Sequence, residues 1–274
     1  MMQYPVDHTS ASQLDQFWTC GEQFRRRYVL GHKIPPGIAA CTGSAVHKAA
    51  EVNWKAKLTS GEDEPLSVLT DAAAEAYDAK VRDEGVFVPE DERPSAPLML
   101  LEGKEQAVAL VKPLREDLAP QMRPALVEQR IELARPELPV PILGFVDLYT
   151  EDKRLSDIKT SARAWSAQKV LAATQPTLYR EMIRQLTGEV PARITIDQLV
   201  KTKVPKYEVA EADRTDADTE VLIERFRLMA QTVNAGIFAP ADPEHWKCQP
   251  KFCGFYWTCK YIPAHRRILP KRSV

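Results

Sequence analysis

Gly144-Phe145-Val146-Asp147-Leu148-Tyr149 and Arg154-Leu155-Ser156-Asp157-Ile158-Lys159-Thr160 are the two segments of sequence that decide the fold. Both carry the β-branched, aromatic and aliphatic residues that favour strands. The polar residues 151–153 between them predict a turn. The two segments are therefore predicted to form a β-hairpin.

The length of the turn decides which residues of this hairpin face each other. A three-residue loop pairs Thr150 with Arg154. Asp147 then lies directly opposite Asp157, and the ammonium group of Lys159 projects from the same surface. A two-residue loop would place Asp147 opposite Ile158, and the charged groups would no longer share one surface. The register is therefore a prediction that the structure can test.

Two clustered carboxylates repel each other, and a divalent cation relieves that repulsion. Oxygen ligands suit Mg²⁺ or Mn²⁺, which keep several waters and help to orient a phosphate. The nearby Lys159 could position or deprotonate an attacking water, or stabilise charge that builds on phosphorus. A solvated hairpin whose charges pair on the surface explains the same residues equally well from this stretch alone.

The composition is that of a soluble globular protein, with 274 residues, 44% of them hydrophobic and 27% charged. Its 37 basic and 38 acidic residues leave a net charge of −1, so any nucleic-acid binding must come from local patches. No apolar run approaches the ~20 residues of a membrane span, and residues 1–12 lack the pattern of a secretory signal. We therefore expect a cytoplasmic, reducing setting, in which five cysteines indicate metal binding or free thiols rather than disulfides.

The first part of the chain reads as helical. Ser12 with Asp15 predicts the start of a helix that runs to about Tyr28 and carries Cys20 on its apolar stripe. A second helix is predicted to start at residues 42–44 and to carry His47. A lone histidine in a helix is usually a packing or surface residue, and further helices follow to about residue 118.

Strands are predicted from residue 125 onward, over 126–134, 142–150, 154–160, 194–196 and 207–210. Glu128 lies on the inward face of the first of these if the alternation holds. It could be a further metal ligand, but the pattern favours a surface pair with Arg130. A helix over 174–186 places Gln175 and Tyr179 on one face, because they are four residues apart. A last helix begins near Thr215.

Three cysteines near the C-terminus, Cys248, Cys253 and Cys259, are separated by four and five residues. The intervening residues are aromatic and turn-forming, which packing alone does not explain. Three thiolates require a fourth ligand, and Cys20 suits that role better than Cys41 because of its place on the helical stripe. Four thiolates fit tetrahedral zinc or an iron–sulfur cluster.

The sequence resembles the RecB-like branch of the PD-(D/E)XK nuclease superfamily. It is similar to the CRISPR-associated RecB-like exonucleases, their phage relatives and the nuclease module of AddB-type helicase–nucleases. The resemblance is carried, in chain order, by Ser10-Ala11-Ser12-Gln13-Leu14 with Cys20 and Tyr28, Gly43-Ser44-Ala45-Val46-His47, Gly144-Phe145-Val146-Asp147, Asp157-Ile158-Lys159-Thr160, Gln175 with Tyr179, and the cysteine triplet.

The resemblance implies an α/β (α+β) fold with a restriction-endonuclease-like core, in which a central mixed β-sheet is flanked by helices. It implies one nuclease domain over 1–274. A helical region is expected at 10–120 and the nuclease core at 121–212. A C-terminal helix and a cysteine-ligated cap are expected at 213–274, joined to the rest by Cys20.

The resemblance also implies roles for the catalytic residues. Asp147 and Asp157 resemble the two metal-binding acids, and the backbone carbonyl of Ile158 completes that site for Mg²⁺ or Mn²⁺. Lys159 resembles the catalytic lysine. His47 resembles the additional metal ligand of this branch, which changes its interpretation from packing residue to site residue.

Two further sets of residues have counterparts in the family. Gln175 and Tyr179 resemble a Q-x-x-x-Y signature that binds substrate by lining the path of the DNA strand. A second set, Cys20, Cys248, Cys253 and Cys259, resembles the ligands of a [4Fe-4S] cluster. The relatives place two residues between the first pair of the triplet, where this chain has four. Zinc is the alternative.

The function implied is a metal-dependent DNA exonuclease of recombination, repair or phage DNA processing, acting on DNA with a single-stranded end. The alternatives are a non-catalytic DNA-binding subunit, or a nuclease subunit active only with a partner, within a helicase–nuclease or CRISPR adaptation complex. The partner would be a helicase, a recombinase or an integrase. The chain has no G-x-x-x-x-G-K-[ST] sequence, so it carries no motor of this type.

Overall fold

The computed structural model describes residues 4–267, which form a helical region, a five-stranded sheet and an irregular C-terminal segment. The helices are α1 (Ala11–Thr19), α2 (Gly21–Phe24), α3 (Ile38–Ser60), α4 (Leu66–Glu84), α5 (Ala96–Pro113), α6 (Ala167–Ala172), α7 (Thr174–Thr187) and α8 (Asp216–Asn234). The strands are β1 (Pro124–Leu133), β2 (Ile142–Thr150), β3 (Arg154–Ser161), β4 (Arg193–Val200) and β5 (Lys206–Glu211).

The five strands form one mixed sheet in the order β1-β2-β3-β4-β5. Strands β3 and β4 are parallel and are connected through α6 and α7, whereas the other neighbours are antiparallel. Helices pack on both faces, so the central mixed sheet flanked by helices that the sequence predicts is confirmed. Within residues 4–267, no helix is both long enough and apolar enough to cross a bilayer.

Two hydrophobic clusters cover the two faces of the sheet. One contains Leu14 of α1, Leu178 of α7 and Phe226 of α8, packed on Leu155 of β3. The other contains apolar residues of α3, α4 and α5, packed on Ile158 of β3. Leu155 and Ile158 are three residues apart and so point to opposite faces of their strand.

The predicted register of the β2–β3 hairpin is confirmed. Leu148 pairs with Ser156 and Tyr149 with Leu155, which is the register of a three-residue loop at 151–153. The same register, extended by one residue, places Asp147 across from Asp157. Regular pairing ends before that point, so the two strands separate where the carboxylates lie.

The N-terminal helices differ from the prediction. The hydroxyl of Ser10, not Ser12, caps α1 by accepting a hydrogen bond from the Gln13 N–H. The helix ends at Thr19 because Cys20 has an extended backbone with φ −158°. The N–H of Gly21 then donates to the Ala239 carbonyl at 2.7 Å, a tertiary contact that competes with helix continuation. Helix α3 also starts earlier than predicted, at Ile38.

A buried polar network joins β3, β4 and β5 next to the hairpin. Asp197 is fully buried and accepts hydrogen bonds from Arg154 at 2.6 Å, Ser156 at 2.5 Å, Thr195 at 2.7 Å and Tyr207 at 2.6 Å. A buried carboxylate is tolerated only when it is paired and hydrogen-bonded in this way. The network therefore fixes β3, the strand that carries Asp157.

We expect Asp197→Ala to lower the free energy of unfolding by about 3–5 kcal/mol, because the buried guanidinium of Arg154 loses its charged partner. Urea denaturation followed by circular dichroism measures this. Glu211→Ala is the matched control, since it removes an exposed partner of Arg193 on the adjacent strand. Equal stability of the two variants would contradict a structural role for the network.

Candidate active site

The three charged residues of the hairpin converge where β2 and β3 separate. One carboxylate oxygen of Asp147 accepts a hydrogen bond from the Ile158 N–H at 2.9 Å. The Nζ of Lys159 lies 2.8 Å from Oδ1 of Asp157. Both acids are buried, and the lysine side chain is partly exposed. The convergence predicted from the turn length is therefore present.

Helix α3 brings His47 to the same point. Its Nδ1 lies 3.6 Å from Oδ1 of Asp147, and its ring is partly exposed. One turn earlier, Gly43 packs against β3, where a Cβ would lie 3.4 Å from the Thr160 hydroxyl, an ordinary van der Waals distance. The histidine thus faces the site, as the resemblance implies.

Glu128 is a site residue for which the sequence favoured a different role. Arg130 pairs with Glu132 instead, so the predicted surface pair is wrong. Glu128 has φ 47°, an uncommon left-handed conformation for a non-glycine residue, and its carboxylate turns toward the site. Ligand atoms of Glu128, His47 and Asp147 lie within 4.8 Å of one another.

The close packing of these charges shifts their pKa values. Burial opposes the charge on Asp147, but His47, Lys159 and the Ile158 N–H outweigh it and lower the pKa of that carboxyl. Burial and the neighbouring Asp147 raise the pKa of Asp157, against the pull of Lys159. The same two causes raise the pKa of Glu128 to about 7. A further positive charge would relieve this repulsion.

The geometry fits a divalent cation. Oδ2 of Asp157 is buried and has no hydrogen-bond partner within residues 4–267. Adjacent ligands of an octahedral ion, each at about 2.1 Å, lie about 3.0 Å apart. The 3.6 Å between His47 Nδ1 and Asp147 Oδ1 would therefore shorten by about 0.6 Å if both bound one ion as neighbours. The carboxylate oxygens at the site are ligands that suit Mg²⁺ or Mn²⁺.

The charged cluster opens into a cavity of about 550 Å³ that is accessible from solvent. His47, Glu128, Ile158 and Lys159 line it, together with Lys48 and Glu51, which form an ion pair at 2.9 Å. We call it the catalytic cavity. It has room for a phosphate group with its attached sugars.

Gln175 and Tyr179 lie on α7, and the side-chain amide of Gln175 donates to the Tyr179 hydroxyl at 2.9 Å. Tyr179 is 6% exposed, and burial with the nearby Asp157 and Asp147 raises its pKa. Tyr179 therefore packs beneath the acids, and only Gln175 is partly exposed. Neither residue lines the catalytic cavity.

Four cysteines from the two ends of the chain line one small cavity of about 160 Å³: Cys20, Cys248, Cys253 and Cys259. We call it the cysteine cavity. Burial raises the pKa of Cys253 to about 11, so its thiolate would need a nearby cation. The fifth cysteine, Cys41, is buried in the cluster formed by α3, α4 and α5.

Contacts outside the thiols hold the C-terminal segment against α2 and the turn after it. The Arg26 guanidinium donates to the hydroxyl and to the carbonyl of Thr258, both at 2.8 Å. Arg26 in turn pairs with the buried Glu22 and lies over the ring of Phe255. The cysteine cavity is therefore framed by an ion pair and a cation–π contact.

The sequence matches the family model of the PD-(D/E)XK nuclease superfamily over residues 8–260. Among solved structures, a candidate exonuclease from Eubacterium rectale has a TM-score of 0.59 at 15% identity, covering 97% of this chain and 90% of that one. The structure of SSO0001 covers 78% of this chain and 94% of its own, at 14% identity and a TM-score of 0.36. No curated protein matches the sequence.

We expect Glu128→Gln to weaken Mn²⁺ binding about 10-fold or more, because the amide removes a charged ligand from the site. Isothermal titration calorimetry measures the affinity. Glu132→Gln is the matched control, since it changes an exposed residue of the same strand that pairs with Arg130. Equal affinities in the two variants would exclude Glu128 from the ligand set.

Proposed function

Because the chain belongs to the PD-(D/E)XK nuclease superfamily, we propose that it hydrolyses DNA phosphodiester bonds with Mg²⁺ or Mn²⁺. The metal ligands would be Asp147, Asp157, His47 and Glu128, with the backbone carbonyl of Ile158. The observation that carries this proposal is the convergence of ligand atoms of His47, Glu128 and Asp147 within 4.8 Å of one another. Asp157 lies outside that set, and its buried Oδ2 has no hydrogen-bond partner among the described residues. When bound, the cation supplies Lewis acidity toward the phosphate and lowers the pKa of a water.

The side chains of the chain itself have defined tasks in this reaction. Lys159 projects into the catalytic cavity while Asp157 holds its Nζ at 2.8 Å. From there it can donate to a phosphate oxygen and stabilise the charge that develops in the transition state. The Ile158 N–H fixes the orientation of Asp147, so that one carboxylate oxygen remains directed toward His47.

Exonucleolytic action on a DNA end, in recombination, repair or phage DNA processing, is the finer part of the proposal. This finer part rests on the RecB-like order of the sequence motifs. The proposed division of the single domain into a helical region, a nuclease core and a cap rests on the same resemblance. Of the Q-x-x-x-Y pair, Gln175 is the member able to reach DNA, and Tyr179 supports it from beneath. A non-catalytic subunit is expected to lack at least one of the catalytic groups. The described site instead has the expected acid, lysine or histidine at each position that the resemblance implies. A helicase, recombinase or integrase partner stays a prediction.

A [4Fe-4S] cluster in the cysteine cavity is the second part of the proposal. Sulfurs around one tetrahedral zinc ion lie about 3.8 Å apart, since each Zn–S bond is about 2.3 Å. Among the described residues, only His47, Glu128 and Asp147 bring three potential ligand atoms within 4.8 Å of one another. No three of the four cysteine sulfurs therefore lie that close together. That spacing favours a polynuclear cluster over a single zinc ion. Held there, the cluster would link Cys20 to the C-terminal segment.

We expect Asp157→Ala and Lys159→Ala to lower the rate of DNA cleavage by about 10²-fold or more, because each removes a group that acts on the phosphate or its cation. End-labelled single- and double-stranded DNA with Mn²⁺ measures the rate.

Lys153→Ala is the matched control, because Lys153 lies in the turn of the same hairpin and is exposed. Its rate should equal that of the unaltered protein. Undiminished cleavage by either Asp157→Ala or Lys159→Ala would refute the catalytic assignment.

We expect anaerobically purified protein to be brown, with absorbance near ~400 nm, because thiolate-bound iron–sulfur clusters are coloured. Cys253→Ser should lose the colour and the iron. Cys41→Ala should retain both, since Cys41 lies outside the cysteine cavity. Colourless protein that contains one zinc ion per chain would contradict the iron–sulfur assignment and support zinc instead.

A further inference from the structure

A second cavity adjoins the catalytic one and is largely apolar. It has a volume of about 460 Å³ and lies between the start of α3, the segment 87–92, α5 and the C-terminal segment. Ile38, Phe87, Met99 and Phe252 supply most of its apolar wall. An apolar cavity of about 150 Å³ holds a benzene ring, so this one has room for a purine or pyrimidine. We call it the apolar cavity.

The polar groups of the apolar cavity are unsuited to a phosphate. Its single basic side chain, Lys251, is paired with Glu92 at 2.7 Å, and Glu102 adds a second carboxylate. A phosphate would be repelled by these acids. The Glu102 carboxylate and the Gln106 amide can instead hydrogen-bond the edge of an uncharged base.

The apolar cavity lies next to the catalytic cavity, because the exposed residue Ala39 lines both. Ala39 and His47 are eight residues apart on α3, a distance of about 12 Å. A DNA strand covers that distance in three to four nucleotides at a stacked rise of about 3.4 Å, and in fewer when it is extended. One strand can therefore occupy both cavities.

Two exposed aromatic rings stand at the rim of the apolar cavity. Trp246 is 54% exposed and Phe252 is 45% exposed, and their rings meet edge to face at 5.0 Å. Lys247 lies over the Trp246 ring. Exposed aromatic rings interleaved with lysines are the usual platform for unstacked bases of single strands.

We infer that the apolar cavity binds an unstacked nucleobase of the DNA strand whose scissile phosphate lies in the catalytic cavity. This inference rests on the proposed function and adds its substrate class: a strand whose bases are unpaired near the cleavage site. Phe252 and Met99 contact the base, and Trp246 stacks on its neighbour. A base that is still paired in a duplex cannot enter the cavity, so duplex DNA must be opened locally first.

The test is binding of fluorescein-labelled 15-nucleotide single strands, with and without a scanned run of abasic sites, measured by fluorescence anisotropy in EDTA. The full-length protein should bind the abasic strand about 10-fold more weakly at one position of the run, the size expected for one base stacked on an aromatic ring. Met99→Trp narrows the cavity with a bulkier side chain. It should bind the intact strand about 10-fold more weakly and lose the discrimination.

Leu98→Trp is the matched control, because Leu98 is the preceding residue of α5, is exposed and does not line the cavity. It should behave like the unaltered protein. Phe252→Ala removes an exposed residue of the cavity wall. It takes the place of Met99→Trp in the binding test if circular dichroism shows that Met99→Trp is misfolded.

Equal binding by Met99→Trp and Leu98→Trp, or no effect of abasic sites at any position, would overturn the inference. In that case the nuclease proposal stands if the unaltered protein still cleaves with Mn²⁺. Conversely, a protein that binds abasic strands more weakly but cleaves no DNA would support the base-binding site and contradict the nuclease proposal.

Discussion

The hydrogen bond from the Ile158 N–H to the Asp147 carboxylate is the interaction on which the site depends. In a continued antiparallel ladder that N–H could pair with a backbone carbonyl. Here a side chain takes it at 2.9 Å, and backbone pairing of β2 with β3 ends at Leu148 and Ser156. A buried donor needs a partner, so a carboxylate at this position lets the strands separate without an orphan N–H. The opening between the strands is where the charged groups converge.

Next to this hydrogen bond, the regular alternation of side chains between the two faces of the sheet is interrupted. Val146 and Leu148 are two residues apart, and a regular strand would direct both to one face. Val146 instead packs in the cluster of α1, α7 and α8, and Leu148 in that of α3, α4 and α5. Glu128, across from Asp147 on β1, has its positive φ at this point. The other edge of β3 is held by the buried network around Asp197, in which the Arg154 guanidinium and three hydroxyl groups satisfy the carboxylate.

Sequence reasoning reached those parts of the site that depend on regular geometry. The turn length gave the hairpin register, and with it the opposition of Asp147 and Asp157. For Glu128 the alternation predicts an inward face, but the sequence favours a surface pair with Arg130 over a metal-ligand role, and its left-handed backbone leaves no local signal. The sequence places Cys20 on a continuous helix. The helix breaks there because of a contact with Ala239, more than 200 positions away, which no local pattern contains.

Residues 20–26 and 239–259 meet around the cysteine cavity, and this has an energetic consequence. Arg26 to Thr258, Gly21 to Ala239 and Lys251 to Glu92 are contacts between regions distant in sequence. Closing so long a loop costs entropy that individual exposed contacts offset only weakly. A group bound by thiols from both ends would stabilise this closure, because metal-binding free energy adds to folding free energy. Its loss would then loosen the segment carrying Lys251, and with it a wall of the apolar cavity, while the hairpin acids, held by the sheet, stay in place.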